Sequence, residues 1–213
     1  MGLTLSDGDL VLRPLAMSDS SQWAEVRRRN AEWLSPWDAT NPPESVDPPS
    51  SYRAMVRRLR AEARAGRSIA LALTVGGRFV GQVTLGGISW GSLRSAYIGY
   101  WIDRAYAGRG YMPRAVALLA DYGFFTLRLH RIEVNIRPEN AASLRVVEKL
   151  GLRCEGMRHR YLHIAGDWRD HLSFAVCVDE VPQGLMARVR GGPTSYVSSS
   201  LLCHCAVCRP RAP

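Results

Sequence analysis

The sequence predicts an α/β (α+β) fold, a mixed sheet with helices packed against it. Two observations carry this. Short β-rich runs joined by tight turns fill the middle and the end of the chain. Between two of those runs lies a strand, glycine turn, helix, strand unit, the pattern of a right-handed crossover between parallel strands. A third observation sets the size. A chain of 213 residues, 46% hydrophobic and 22% charged, can bury one core without disulfides or a structural metal.

Residues Leu10 to Leu15 read as a first strand, and Ser18 as the cap of a helix carrying Trp23 and Val26 on one face. The stretch 34–50, with Pro36, Pro42, Pro43, Pro48 and Pro49, cannot continue a helix or a central strand and reads as a loop. From Ser50 or Ser51, Tyr52, Met55, Val56, Leu59 and Ala63 build one apolar stripe of a helix ending near Gly66. Two β-rich runs, 69–75 and 79–85, follow around Gly76-Gly77, as a hairpin requires.

A third strand is expected over 95–102, then a turn with Gly108 and Gly110. Pro113 suits the first turn of a helix that buries Val116, Leu119, Ala120 and Gly123. A strand over 131–136 precedes a helix begun by Asn140 and stopped by Gly151, with Leu144, Val147 and Leu150 inward. The last strands, about 157–164 and 170–178, flank the turn Ala165-Gly166-Asp167-Trp168. Residues 1–189 read as one domain and 190–213 as a loosely attached tail.

No apolar run approaches the roughly 20 residues of a membrane span, and the N-terminus lacks the pattern of a signal peptide, so a cytoplasmic location is expected. The net charge of +9 fits an anionic partner or a polyphosphate cofactor. It also fits a GC-rich coding bias, because Lys149 is the only lysine among 28 basic residues. Cys154 and Cys177 stand isolated. Cys203, His204, Cys205 and Cys208 crowd too closely to wrap one tetrahedral zinc, so no metal is expected.

The turn after the third strand is the first chemical signal. A helix N-terminus carries unpaired N–H groups and partial positive charge, and glycines let a phosphate approach that backbone. Here Asp103-Arg-Ala-Tyr-Ala-Gly-Arg-Gly-Tyr-Met112 leads into the helix, with Arg104, Arg109 and Arg114 adding charge. The glycine pair also suits a turn needed only for its shape. A dinucleotide fingerprint and a kinase-type P-loop are both absent.

Around that turn the sequence resembles the GNAT superfamily of acyl-CoA N-acyltransferases, in particular the branch of the RimJ and RimL ribosomal-protein alanine acetyltransferases. The resemblance rests on Ile98-Gly-Tyr-Trp101, Gly108-Arg-Gly-Tyr111, Arg137-Pro-Glu-Asn-Ala-Ala-Ser143, Glu148-Lys-Leu-Gly151, Glu155-Gly156 and Gly166-Asp-Trp-Arg-Asp170. It extends more loosely from Leu10 to about Asp179.

The resemblance implies a three-layer fold: a mostly antiparallel sheet with a central, splayed parallel strand pair and helices on both faces. It implies acetyl-CoA as acyl donor, its pantetheine arm lying along Tyr100, Trp101 and Ile102. The N–H groups of Gly108, Arg109, Gly110, Tyr111 and Met112 would hold the pyrophosphate, Asn140 would bond the pantetheine, and Ser143 would lie near the sulfur. Two positions depart from the family pattern. Ala107 stands for the usual Gln or Arg, and Met112 for the usual Gly or Ala.

Acyl transfer needs a neutral amine, a stabilised oxyanion and a proton for the departing thiolate. Ser143 is the candidate donor to sulfur. The family often places a glutamate where this chain has Tyr97 and Leu162, so the base is sought in His163, Tyr161 or Asp38, or in ordered water; His163 is the leading candidate. Trp33, Trp37, Tyr97 and Trp168 are candidates for the acceptor cleft. The acceptor is expected to be a protein N-terminus, with ribosome association, or a small amine. A regulator that binds acyl-CoA without turnover is the alternative outside catalysis. No specific nucleic-acid signature is present, and the oligomeric state is open.

Overall fold

Strand pairing in the computed structural model, which describes residues 3–43 and 51–191, builds one eight-stranded sheet. Its strands are β1 (Leu5–Asp7), β2 (Leu10–Pro14), β3 (Ile69–Val75), β4 (Arg78–Ser89), β5 (Ser95–Ile102), β6 (Arg131–Ile136), β7 (Arg153–Ile164) and β8 (Asp167–Cys177). Across the sheet they run β1-β2-β3-β4-β5-β6-β8-β7. Only β5 and β6 pair in parallel; the other pairs are antiparallel. Pro48, Pro49 and the Cys203-His204-Cys205-Cys208 tail lie outside the described residues.

The hairpins obey local chemistry. Gly76 and Gly77 both have positive φ, so the β3–β4 turn matches the twist of its strands. The β7–β8 turn is tighter than the sequence suggests: Ala165 and Gly166 alone reverse the chain, and Asp167 and Trp168 already belong to β8. The sequence reading also missed β1, three residues long and paired to β2. Its Leu5 contributes too short an alternation to stand out from a loop.

Helices cover both faces. On one face lie α4 (Tyr111–Asp121), α5 (Ala141–Leu150) and α6 (Leu185–Gly191); on the other lie α1 (Ser20–Arg29) and α3 (Tyr52–Arg64). The short α2 (Ala31–Leu34) follows α1 directly. Alternation along β3 shows the two layers. Leu71 and Leu73 enter the larger core with Leu119, Val147 and Phe174, whereas Ala72 enters the smaller one with Val26, Val56 and Phe79. Burying a Leu or Phe side chain of this kind contributes about 1.5–3 kcal/mol.

Helix ends follow their caps. The Ser51 hydroxyl accepts from the Ala54 N–H at 3.2 Å and starts α3. Gly151, at φ +64°, stops α5. Ser18 does not cap α1: Asp19 holds the N-cap position without a side-chain cap bond, and its buried carboxylate instead accepts from the Ala16 N–H at 2.8 Å and from both terminal guanidinium nitrogens of Arg13, which fixes a 3-10 turn over Met17–Asp19 ahead of the helix. The sequence also left α6 unassigned. Asp121 caps it by accepting from the Leu185 and Met186 N–H groups, and both of those side chains are buried in the larger core.

Candidate active site

The parallel pair opens. β5 and β6 are in register only from Ser95 with Arg131 to Tyr97 with Glu133. Beyond that point β5 keeps β4 along one edge to Ile102, while β6 keeps only β8. Half the main-chain polar groups of β5 between Ile98 and Ile102 therefore face a gap, where a sheet would place another strand. A cavity of about 500 Å³ fills this gap.

One wall is the turn into α4. Gly108 and Gly110 have φ of +76° and +82°, and a Cβ on either would meet nothing within 4 Å. Both glycines are there for conformation and leave the space above the backbone open. Gly110 is the N-terminal cap residue and provides no side chain, so the first N–H groups of α4 point outward unpaired. Pro113 and the buried Met112 complete this wall.

The turn is fixed from behind by Asp103, which is only 2% exposed. Its carboxylate accepts from the Ala105 N–H at 3.2 Å, from Asn30 Nδ2 at 2.9 Å and from the Arg29 guanidinium. Burial pushes the Asp103 carboxyl upward, yet Arg29 and Asn30 together hold it below the ordinary range. Asn30 Oδ1 also accepts from the Arg104 N–H at 2.9 Å, so the start of the turn is bound to the end of α1.

The facing wall is α5. Asn140 caps it, its Oδ1 accepting from the Ser143 N–H at 3.1 Å. That orientation leaves the Asn140 amide NH2 without a partner among the described residues, on a residue that lines the cavity. Ser143 lines it too, and its main-chain carbonyl accepts from the Tyr100 hydroxyl at 3.4 Å. Burial raises the Tyr100 phenol well above its usual range.

Of the residues singled out in the sequence for the cofactor, Tyr100, Trp101, Ile102, Gly108, Gly110, Met112, Asn140 and Ser143 line the cavity. Arg109 and Tyr111 do not. The Arg109 guanidinium stacks over Tyr106 at 5.6 Å, and the Tyr111 hydroxyl donates to Asp9 at 2.7 Å. Arg114 is also engaged elsewhere, with Asp7 at 2.6 Å. The Ile102 carbonyl accepts from the Trp33 indole N–H at 3.1 Å, which closes the end of the open edge.

On the acceptor side, Trp33, Trp37 and Tyr97 line the cavity, whereas the exposed Trp168 does not. The Tyr97 ring lies flat against Gly86 and Gly87, where a Cβ would come within 2.6 and 2.8 Å of it. Arg137 stacks on Trp37 at 5.4 Å and donates to the Pro36 carbonyl at 2.8 Å, fixing the loop that carries the tryptophan.

The three residues considered as base are all held by neighbours. Asp38 lines the cavity, but Arg27 binds both of its oxygens. The Tyr161 hydroxyl accepts from Asn135 at 3.4 Å. His163 is buried, 6% exposed, and absent from the cavity wall; its Nδ1 meets Thr40 Oγ1 at 2.8 Å and the Thr40 carbonyl at 3.0 Å. The structure thus places His163 as a clamp between β7 and the loop after α2.

Sequence reasoning overlooked four polar wall residues, Gln82 and Thr84 on β4 and Arg145 and Lys149 on α5. The signal for the α5 pair was available. With Val147 and Leu150 against the core, Ala142, Arg145, Val146 and Lys149 fall together on the next face of the helix. Cys177, isolated in sequence, comes together with His130 and Asp179, their ligating atoms within 4.8 Å of one another, and none of the three lines the cavity.

Known proteins share this arrangement. A family model described as an acetyltransferase (GNAT) domain matches residues 9–153. The [ribosomal protein uS5]-alanine N-acetyltransferase of Escherichia coli is 28% identical over 182 residues, covering 84% of this chain and 93% of that protein. The "Probable N-acetyltransferase YjcK" of Bacillus subtilis is 44% identical over 99 residues, which is 46% of this chain and about half, 55%, of that protein. The solved structure of Mycobacterium smegmatis RimJ in complex with CoA-disulfide superimposes with a TM-score of 0.81 at 36% identity, covering 89% of this chain and 93% of that one.

Proposed function

The chain belongs to the GNAT acetyltransferase family, and from that premise we propose that it transfers the acetyl group of acetyl-CoA to the N-terminal α-amine of a protein, a ribosomal protein being the leading acceptor. The observation that carries the reading is the gap between β5 and β6 beside the N-terminus of α4. Support for this acceptor comes from the E. coli relative, whose likeness spans nearly its whole length. The acetyltransferase domain is assigned to residues 1–191, because α6 runs past the boundary at 189 expected from the sequence and Arg190 pairs with Asp7.

In this reading the pantetheine arm occupies the missing strand position along Tyr100 and Trp101, and the pyrophosphate sits on the N–H groups of the 108–112 turn. The Asn140 amide NH2 donates to a pantetheine carbonyl. The neutral amine nitrogen attacks the thioester carbon, the C–S bond breaks, and the proton that the nitrogen sheds on becoming an amide passes to the departing sulfur, to which the Ser143 hydroxyl donates a hydrogen bond. Main-chain N–H groups of β5 receive the oxyanion.

The amine loses its proton to water held at the cleft mouth. A peptide α-amine with a pKa near 8 is about one-tenth neutral at pH 7, so no strong base is required. Trp33, Trp37 and Tyr97 present an aromatic rim to an extended peptide end. No helix among the described residues is long and apolar enough to cross a membrane, which is compatible with action on newly made ribosomal proteins in the cytoplasm.

The test follows free thiol while acetyl-CoA is offered with N-terminal peptides of ribosomal proteins, the same peptides blocked at the α-amine, polyamines and aminoglycosides. Turnover confined to free α-amines supports the assignment. Faster turnover of polyamines or aminoglycosides would replace the acceptor, and no thiol release with any amine would replace the activity.

A further inference from the structure

We propose that His130, Cys177 and Asp179 form a binding site for a zinc-class divalent metal ion, which ties the start of β6 to the end of β8. The inference is independent of the acetyl-CoA reading, because none of the three residues lines the cavity.

The first ground is geometry. One ligand atom from each of the three side chains lies within 4.8 Å of the other two. Zinc bonds of about 2.0–2.3 Å in a tetrahedron set ligand atoms about 3.3–3.6 Å apart, so small torsions of the exposed His130 and Asp179 side chains complete the set. The backbone beneath them is already fixed. His130 donates its N–H to the Arg94 carbonyl at 2.7 Å, and its own carbonyl accepts from the Val178 N–H at 2.9 Å. Arg131 and Cys177 are partners in the β6–β8 register. The Cys177 N–H donates to Glu180 at 2.7 Å, which sets the 3-10 turn Val178–Glu180 that carries Asp179.

The second ground is the donor set. A thiolate, an imidazole and a carboxylate are the ligand types that zinc takes, and three of them leave a fourth position to water. Sulfur and imidazole nitrogen disfavour magnesium and calcium, which take oxygen. Cys177 holds a free thiol. On binding, its sulfur releases a proton to solvent and bonds the metal, and the thiolate and the Asp179 carboxylate together neutralise the dication. The Arg153 guanidinium reaches the Cys177 sulfur and favours the thiolate, while Glu155 and Glu180 pair with that arginine and offset its charge. The His130 ring and the Asp179 carboxylate have no hydrogen-bond or ion-pair partner among the described residues, so neither gives up a contact to ligate.

Placement gives the ion a structural task. Parallel pairing of β5 with β6 spans only Ser95 with Arg131 to Tyr97 with Glu133. The three ligands stand at the start of that short pairing, at the end away from the gap, where a bound ion anchors β6 before it splays.

The test uses the purified full chain carrying Cys203→Ser, His204→Ala, Cys205→Ser and Cys208→Ser, so that the tail offers no competing ligands. Stripped with a chelator and titrated, it should bind one Zn²⁺ per chain and melt at a higher temperature with the metal than without. Co²⁺ should give the near-ultraviolet charge-transfer band of a thiolate complex and the intense visible bands of tetrahedral cobalt. Cys177→Ser should abolish the charge-transfer band. His130→Ala and Asp179→Asn, both at exposed positions, should each weaken Zn²⁺ binding by about tenfold or more and leave the metal-free melting temperature unchanged.

Absence of Zn²⁺ binding by this chain, a Co²⁺ complex without the thiolate band, or a Zn²⁺ affinity unchanged by any one of the three substitutions overturns the site.

Discussion

The Tyr100 hydroxyl reaches across the open end of the sheet and donates to the Ser143 main-chain carbonyl at 3.4 Å. One side of the cavity is thereby tied to the other at the height of the expected thioester. Burial keeps the phenol protonated at any ordinary pH, so the strut does not titrate in use. Tyr100→Phe keeps the packing and removes the tie. It should cost about 0.5–1 kcal/mol in denaturant unfolding and raise the KM for acetyl-CoA a few-fold, with kcat reduced less. An unchanged KM would show that α5 holds its place without Tyr100.

Asp103 makes the phosphate turn sensitive to acid. Burial raises its carboxyl, but Arg29, Asn30 and the Ala105 N–H outweigh that and leave it below its ordinary value. A carboxyl lowered by folding contributes stability above its unfolded pKa and loses it as pH falls toward the folded one. Asp19, held by Arg13, and Glu155, brought down to about 2 mainly by Arg131, act in the same direction. Asp121, raised by burial, opposes them. The melting temperature should hold from pH 7 to about 5 and drop below about pH 4. Asp103→Ala should cost about 2–3 kcal/mol at pH 7, flatten the acid limb and weaken CoA binding, as read by thermal melts and titration.

His163 and Thr40 separate a structural histidine from a catalytic one. The ring meets two Thr40 oxygens and packs edge-on against Trp168 at 5.7 Å, and the Thr40 N–H donates back to the His163 carbonyl at 2.9 Å. His163→Ala should lower stability by about 1–3 kcal/mol, the cost of unpaired buried partners, and loosen the loop bearing Trp37. A kcat that falls a hundredfold with its pH dependence abolished would return the base role to His163.

How far the sequence could be read follows from which forces act locally. The 131–136 strand, the Asn140 start and Gly151 stop of α5, and the Gly76-Gly77 turn are set by residues within a few positions, and each stands as expected. The contacts that shape the cavity are not local. Arg29 meets Asp103 across 74 residues and Tyr100 meets Ser143 across 43. Motif residues also diverge by side chain: Gly108 and Gly110 face the cavity, while Arg109 and Tyr111 between and beside them turn to Tyr106 and Asp9. A turn motif specifies the backbone, and its side chains are free to find other partners.

Asn140 and Ser143 share one helical turn and are expected to fail differently. Asn140 accepts from the Ser143 N–H, so Asn140→Ala removes a cap, costing about 1 kcal/mol, and removes the free amide from the cavity. Asn140→Asp keeps the acceptor and puts a negative charge in place of the donor. It should restore the stability and leave the coenzyme bound at least tenfold more weakly, because the acceptor function serves the fold and the donor function serves the ligand. Ser143→Ala leaves the cap intact, because the bond uses the main-chain N–H. It should leave unfolding and CoA affinity near wild type while kcat falls about 10- to 100-fold, through loss of one hydrogen bond to the leaving sulfur. Using an activated thioester with a thiol of lower pKa should narrow that deficit, since a better leaving group needs less help. A deficit equally large with both thioesters would assign Ser143 to positioning instead of to the departing thiolate.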